Sequence, residues 1–323
     1  MPARPTVDWA ALLDAASAGD RRALARLLSA VERGGPDGRA AVSLAYRRGV
    51  EADTVGITGA PGAGKSTLVD GLIAAARHDA TARVGVLAVD PTSPFSGGAI
   101  LGDRVRMQGH DLDSGVFIRS MASRGHLGGL SLAVPEAIRL LAAAGVPLVM
   151  VETVGVGQVE VEVASATDTT VVVVNPRWGD AIQANKAGLL ETADVFVINK
   201  ADMEGAAQAR RDLEQMLDLS TLGAWRPPVV ETVATTGDGV ARLWEEIGRH
   251  RGHLEAAGLL GPLRRERLRR EFRHVLRARI EKEIDRLGSG RRLAELTEAV
   301  ADRELDPYSA ADELLADVAD VDR

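Results

Sequence analysis

The 323-residue chain contains no cysteine, which excludes disulfides, thiolate metal sites and cysteine nucleophiles. Aromatic residues make up only 3% of it. No apolar run approaches the ~18 residues that a membrane-spanning helix needs. Asp8, Asp14 and Asp20 fall where a secretory leader would be basic and then apolar, so no leader is expected. Neither sign of charge dominates, since 39 Lys+Arg stand against 46 Asp+Glu for a net charge of −7. That balance disfavours bulk nucleic-acid binding. Lysine is scarce: it occurs only at Lys65, Lys186, Lys200 and Lys282, and arginine supplies the other 35 of the 39 positive charges. Such a chain is expected to keep lysine where a compact ammonium is needed and a planar guanidinium does not fit. With 46% hydrophobic and 26% charged residues, the composition is that of a globular protein, and a soluble, cytoplasmic one is expected.

Residues 1–50 read as a helical extension. Trp9, Leu12, Leu13 and Ala16, then Leu24, Leu27, Leu28 and Val31, recur at helical spacing, and Gly34-Gly35-Pro36 breaks the pattern. From residue 51 to 255 short Val/Ile-rich runs alternate with helical stretches. The runs are Thr54–Thr58, Val84–Val89, Val116–Ile118, Pro147–Val151, Thr169–Val174, Val195–Ile198 and Val229–Val233. Runs of this kind suit strands buried on both faces, which predicts an α/β fold with a doubly wound, mostly parallel sheet. Residues 256–323 read as helices only. An apolar stripe of Leu268, Phe272, Val275, Leu276, Ile280, Ile284 and Leu287 lies on a predicted helix from Pro262 to Leu287. The last helix is expected to be capped by Ser309, with Asp312 three residues on.

Gly59-Ala60-Pro61-Gly62-Ala63-Gly64-Lys65-Ser66-Thr67 follows a predicted strand and opens a predicted helix, the setting of a phosphate loop. Its glycines allow backbone N–H groups to turn around phosphates. Lys65 reaches the β/γ-phosphates, and Ser66 can ligate Mg²⁺. Asn199-Lys200-Ala201-Asp202 follows the strand Val195–Ile198. Alone, such a motif is compatible with a helix cap; after a phosphate loop it reads guanine. The Asp202 carboxylate can accept hydrogen bonds from the ring N–H and exocyclic amine of guanine, a donor pair adenine lacks. Together the two motifs indicate GTP rather than ATP. Leu148–Val151 ends in Glu152-Thr153-Val154-Gly155, where Glu152 can hold Mg²⁺ and the Gly155 N–H can meet the γ-phosphate. Asp90 and Asp103 flank a Gly-containing segment and are the other acidic candidates near the metal, with turn-capping as the alternative for either. Arg104 and Arg106 stay outside the catalytic set, which is Lys65, Glu152, Asp90 and Asp103. No glutamine directly follows the Glu-x-x-Gly, and Gln158 is only a candidate for orienting water. Slow intrinsic hydrolysis, accelerated by a partner, is therefore expected.

These segments resemble the MeaB/ArgK family, the methylmalonyl-CoA mutase-associated GTPases. The resemblance runs through Gly59–Thr67, Asp90–Met107, Ile118–Leu130, Val151–Ala164 and Lys186–Asp202. It implies a P-loop GTPase that uses GTP/GDP and Mg²⁺ to gate cobalamin loading and protect an adenosylcobalamin-dependent acyl-CoA mutase. It further implies that Asp90, Asp103 and Glu152 surround the Mg²⁺, and that the C-terminal helices form a homodimer. Two segments depart from the family pattern. Arg177-Trp178 is bulky where a small stretch is usual and Ala181 replaces an acid, while Asp180 and Lys186 remain; if this loop contacts the mutase, the partner is expected to be a variant such as an isobutyryl- or hydroxyisobutyryl-CoA type. Thr232-Val233-Ala234 stands where a Ser-Ala pair usually backs the guanine, leaving the Ala234 N–H as the base contact.

Three rival readings are weighed. A GTPase that delivers a metal such as nickel needs a His or Cys cluster, whereas here six His are scattered and only His250 and His253 are close. That pair is more simply read as solvated surface. A transport-associated kinase or ATPase conflicts with Asn199 and Asp202. A nucleic-acid module would use the arginines from Arg264 to Arg273, but Glu266 and Glu271 interrupt them and an acidic tail follows, so packing, dimer pairing or solvated faces explain them better.

Overall fold

The structure, a computed structural model, describes residues 7–78, 82–91, 110, 112–123, 133–153, 163, 165–176, 192–220, 223–288 and 291–321. The chain divides into two compact units, Met1–Arg267 and Leu268–Arg323.

The first unit is built on a seven-stranded parallel sheet. Its strands are β1 (Asp53–Gly59), β2 (Val84–Pro91), β3 (Val116–Ser123), β4 (Leu148–Thr153), β5 (Thr169–Val174), β6 (Val195–Asn199) and β7 (Val229–Thr232). Their order is β3-β2-β4-β1-β5-β6-β7. The seven Val/Ile-rich runs of the sequence are these seven strands. β5 shows why: all six of its residues are buried. Val171 and Val173 pack on one side of the sheet, and Val172 and Val174 on the other. Each such side chain contributes about 1.5–3 kcal/mol by leaving water, so the strand is held from both faces.

Helices cover the two faces in turn. α4 (Lys65–Ala76) and α7 (Val240–Ala256) pack against Val55, Ile57, Val86 and Met150. On the other face, α5 (Ala133–Ala143) packs against Leu87, Val89, Val149 and Val151, and α6 (Ala206–Leu219) against Val172, Phe196 and Ile198. Three N-terminal helices, α1 (Trp9–Ser17), α2 (Arg21–Arg33) and α3 (Gly35–Arg48), share one core with α5. Two of the acids that argue against a leader, Asp8 and Asp20, also cap these helices. The Asp8 carboxylate accepts the Ala11 N–H at 3.0 Å, and Asp20 accepts those of Arg22 and Ala23 at 2.8 and 3.1 Å. The Gly34-Gly35-Pro36 break is narrower than its composition implies. Only Gly34 separates α2 from α3, because Pro36 is well suited to a first helical turn.

The long helix α8 (Leu260–Gly288) begins in the first unit. Its first two turns are fixed to the base of the sheet by Asp168. Arg264 Nη2 and Arg267 Nη1 donate to that carboxylate at 2.6 and 3.0 Å, and the Thr54 N–H donates to it at 3.1 Å. Burial pushes the Asp168 carboxyl up, but the two guanidinium groups outweigh it and hold the group below its ordinary value. Part of the arginine cluster is thus internal ion pairing, consistent with the packing explanation.

The second unit continues α8 and adds α9 (Arg291–Ala301) and α10 (Pro307–Val321), with Leu296 and Ala310 buried. The start of α10 corrects the expected cap. Asp306, not Ser309, accepts the Tyr308 and Ser309 N–H groups at 3.0 and 3.2 Å. An Asp-Pro pair places the acceptor before a residue that needs no partner for its nitrogen, whereas Ser309 already lies inside the helix. Among the described residues, no helix is long and apolar enough to cross a membrane.

Candidate functional site

In a parallel sheet the strand order reverses somewhere, and the crevice beyond the carboxyl ends of the strands at that point is where ligands bind. Here the reversal is at β1, which lies between β4 and β5. The carboxyl ends of these strands and of β6 carry Gly59, Glu152 and Asn199, so the topology gathers the three motifs at one end of the sheet.

Gly59 ends β1 with φ of 135°, and a side chain there would fall on the Val173 carbonyl oxygen. Only glycine lets the loop turn so close to β5. Residues 60–64 then lead into α4, whose first residues are Lys65 and Ser66. Gly64, at φ of 92°, precedes the helix and supplies no side-chain cap. The first N–H groups of α4 and the helix dipole are thus directed at the loop, a ready anion site. Lys65 is buried, and its Nζ donates to the Gly59 and Ala60 carbonyls at 2.5 and 3.1 Å. Ala63 is buried beneath the loop, Pro61 and Gly62 are exposed on it, and Thr67 lies half-buried in the first turn of α4.

Ser66 Oγ donates to Glu152 Oε1 at 2.6 Å, and Glu152 is 1% exposed. One residue further, the Thr153 hydroxyl donates to Thr58 Oγ1 at 3.2 Å, tying the tips of β4 and β1 together. Asp90 lies near the end of β2, two residues beyond Ala88, the register partner of Glu152. Its backbone therefore shares the Glu152 edge of the sheet. Asp103, Gly155, Gln158, Arg177, Trp178 and Lys186 lie outside the described residues.

The second motif braces the first. The Asn199 carboxamide donates through Nδ2 to the Ala63 carbonyl at 2.8 Å and accepts at Oδ1 from the Thr232 hydroxyl and the Ala234 N–H, both at 3.1 Å. Lys200 adopts a left-handed conformation, φ 62°, and its Nζ donates to the Gly62 carbonyl at 2.8 Å. Asp202 is exposed in the turn that precedes α6. The Ala234 N–H, which the sequence assigned to the base, is thus engaged by Asn199. Thr232 had no assigned role, and its hydroxyl holds the other side of the same oxygen. A buried threonine at a strand end gives no local signal of that kind.

Known proteins place this arrangement. A protein-family model described as "Methylmalonyl Co-A mutase-associated GTPase MeaB" matches residues 24–287. A Pyrococcus abyssi protein named as a GTPase is 49% identical over 312 residues, covering 95% of this chain and 96% of that one. The mouse protein named "Methylmalonic aciduria type A homolog, mitochondrial" is 38% identical over 218 residues, covering 65% of this chain and 52% of its own length. A crystal structure titled as an LAO/AO transport system kinase superposes with a TM-score of 0.69 at 27% identity, covering 98% of this chain and 100% of that one. With Gly59–Thr67 and Asn199–Asp202 brought together at one end of the sheet, the chain is a GTPase and belongs to the methylmalonyl Co-A mutase-associated GTPase MeaB family.

Proposed function

We propose that this GTPase is a nucleotide-driven switch serving an adenosylcobalamin-dependent acyl-CoA mutase, gating cobalamin loading and protecting the loaded enzyme. The observation that supports the reading is the family match over residues 24–287, whose description names a GTPase associated with methylmalonyl-CoA mutase. A cytoplasmic setting belongs to the same proposal.

The chemistry assigned to the site is GTP + H₂O → GDP + phosphate. The first turn of α4 and the loop N–H groups hold the phosphates, and the Lys65 ammonium faces the charge that develops on the transferred group. Asn199 and Lys200 keep the loop in shape through Ala63 and Gly62, and Asp202 reads the base. The donor set fits Mg²⁺: a hydroxyl and a carboxylate, both hard oxygens, meet in a buried position beside the first turn of the helix. Ser66 and Glu152 would hold it, with Asp90 and Asp103 as further candidates. A bound Mg²⁺ supplies neutralisation of phosphate charge. Gly155 is the proposed contact to the γ-phosphate.

A homodimer formed through α8 is part of the same reading. Phe272, Leu276, Ile280 and Ile284 are exposed at four-residue spacing along that helix, a single-sided apolar stripe of the kind that a second copy covers.

The test is steady-state GTP turnover of the purified protein, alone and with methylmalonyl-, isobutyryl- or hydroxyisobutyryl-CoA mutase. Alone, turnover below roughly 1 s⁻¹ is expected, as for GTPases that rely on a partner. One mutase is expected to raise it at least about tenfold and to form a stable complex. Turnover and complex formation indifferent to all three would contradict the proposed partner while leaving the GTPase assignment intact.

A further inference from the structure

At the end of the sheet away from the phosphate loop lies a chain of polar side chains that the nucleotide site does not use. His250 of α7 was expected at the surface with His253, but it is 3% exposed. Its Nδ1 lies 2.9 Å from Oγ1 of Thr169, the first residue of β5, and its Nε2 lies 3.3 Å from Oδ1 of Asp194, the residue before β6. Asp194 keeps 30% of its side chain accessible, yet both carboxyl oxygens are engaged inward, Oδ2 accepting the Thr170 N–H at 2.7 Å. The indole N–H of Trp225 donates to the Asp194 carbonyl at 2.8 Å. Its ring packs against the imidazole at a tilt of 57°, with centroids 4.9 Å apart, and reaches His253 at 5.2 Å. Two other titratable groups act on His250. They are His253 on the same helix and Asp168 at the base of β5, whose carboxylate is committed to Arg264 and Arg267.

We propose that Asp194 and His250 hold one exchangeable proton between them, so that this carboxyl–imidazole–hydroxyl chain locks α7 to the bases of β5 and β6 with the same strength across the mildly acidic range. The physical basis is burial, which drives each group towards its neutral form. Desolvation pushes the Asp194 carboxyl up to about 7, against the Thr170 N–H that favours its charge. Desolvation pushes the His250 imidazole down to about 4, with His253 acting in the same direction and Asp168 against it. In the unfolded chain the two groups return to 3.8 and 6.5.

Each group alone makes stability depend on pH, with opposite sign. Asp194 is raised on folding, so its contribution is present at low pH and fades as pH rises from about 4 to about 7. His250 is lowered on folding, so its contribution is present above pH 6.5 and fades as pH falls towards about 4. Between those limits the folded pair carries one proton, on Asp194, and the unfolded pair also carries one, on His250. The slopes cancel, and the pair adds no pH dependence of its own.

The test compares the wild type with Asp194→Asn, His250→Gln and the double variant by urea unfolding between about pH 4.5 and about pH 6.5. A difference of one bound proton changes the folding constant about tenfold per pH unit. Relative to wild type, Asp194→Asn is expected to lose that factor per unit as pH falls, and His250→Gln to lose it as pH rises. The double variant should run parallel to the wild type. Single variants that both parallel the wild type would overturn the proposal. Should a variant fail to fold, ¹³C and ¹⁵N shifts of the imidazole in the wild-type protein decide the matter. They should show His250 neutral throughout this range, and an ordinary titration near pH 6.5 would refute the shared proton.

Discussion

Replacing Lys65 with alanine is expected to lower single-turnover GTP hydrolysis by on the order of 10³-fold or more, while the protein remains folded. The argument rests on position. Lys65 is buried at the start of α4, with Nζ directed back over the loop to the Gly59 and Ala60 carbonyls. In the proposed role its ammonium is a fixed positive charge set against the transferring phosphate in a water-poor setting, where charge acts far more strongly than it would in water. Removing one such donor from an active site typically costs ~10²–10³ in rate, and here the lost donor is also a full charge. Arginine is a poor substitute, because its planar fork cannot replace a compact ammonium folded back on two carbonyls. Rapid-quench measurement at saturating GTP separates this effect from weaker binding. Hydrolysis within about tenfold of the wild type would remove Lys65 from the proposed role.

Asp202→Asn is expected to exchange nucleotide preference. Guanine offers a ring N–H and an amine to a carboxylate, whereas xanthine carries a carbonyl where guanine has the amine. The carboxamide of asparagine can donate to that carbonyl and cannot accept both guanine donors. A base-reading site that loses its hydrogen-bond partner discriminates strongly, because buried polar groups are left unmatched. GTP affinity should fall by on the order of 10³-fold and xanthosine triphosphate should become the preferred ligand, as read by displacement of a fluorescent nucleotide. The framework around the substitution should persist, since Asn199 and Lys200, not Asp202, make the contacts to Ala63 and Gly62. An unchanged GTP-to-XTP ratio would contradict the assignment.

How much of this was readable in the sequence differs by element. The strands were legible because a β-strand covered on both faces is mostly apolar, so the four valines that end β5 and the Val195–Ile198 run of β6 stand out, with polar residues kept to the strand ends. The phosphate loop was legible because its glycines meet a backbone demand, clear at Gly59, where any side chain would strike Val173. The meeting of Ser66 with Glu152 followed from two motifs at adjacent strand ends. Contacts between residues far apart in the chain left no such trace. Thr232 as a donor to Asn199, Asp168 as the anchor for Arg264 and Arg267, and His250 between Thr169 and Asp194 each join segments from 33 to 99 residues apart. Periodicity reports which face of an element is apolar, not which polar side chain meets which. At the start of α10 two local patterns compete: the Asp306-Pro307 pair supplies the cap, and the Ser-x-x-Asp pattern three residues later lies inside the helix.

The lysine bias finds its explanation at the same site. Lys65 and Lys200 both place a compact ammonium on phosphate-loop carbonyls, at Gly59 and Ala60 in one case and Gly62 in the other. In a chain that otherwise uses arginine for most of its positive charge, these are positions where three rotatable donors on a slim stem suit the tight loop better than a fork.

The most direct test is titration calorimetry of the wild-type protein with GTP, GDP and ATP in the presence of Mg²⁺, using a non-hydrolysable GTP analogue for the triphosphate state. The guanine nucleotides are predicted to bind at least about 10²-fold more tightly than ATP, the difference expected when Asp202 is left without the guanine donors. ATP binding as tight as GTP, or no binding of either, would contradict it.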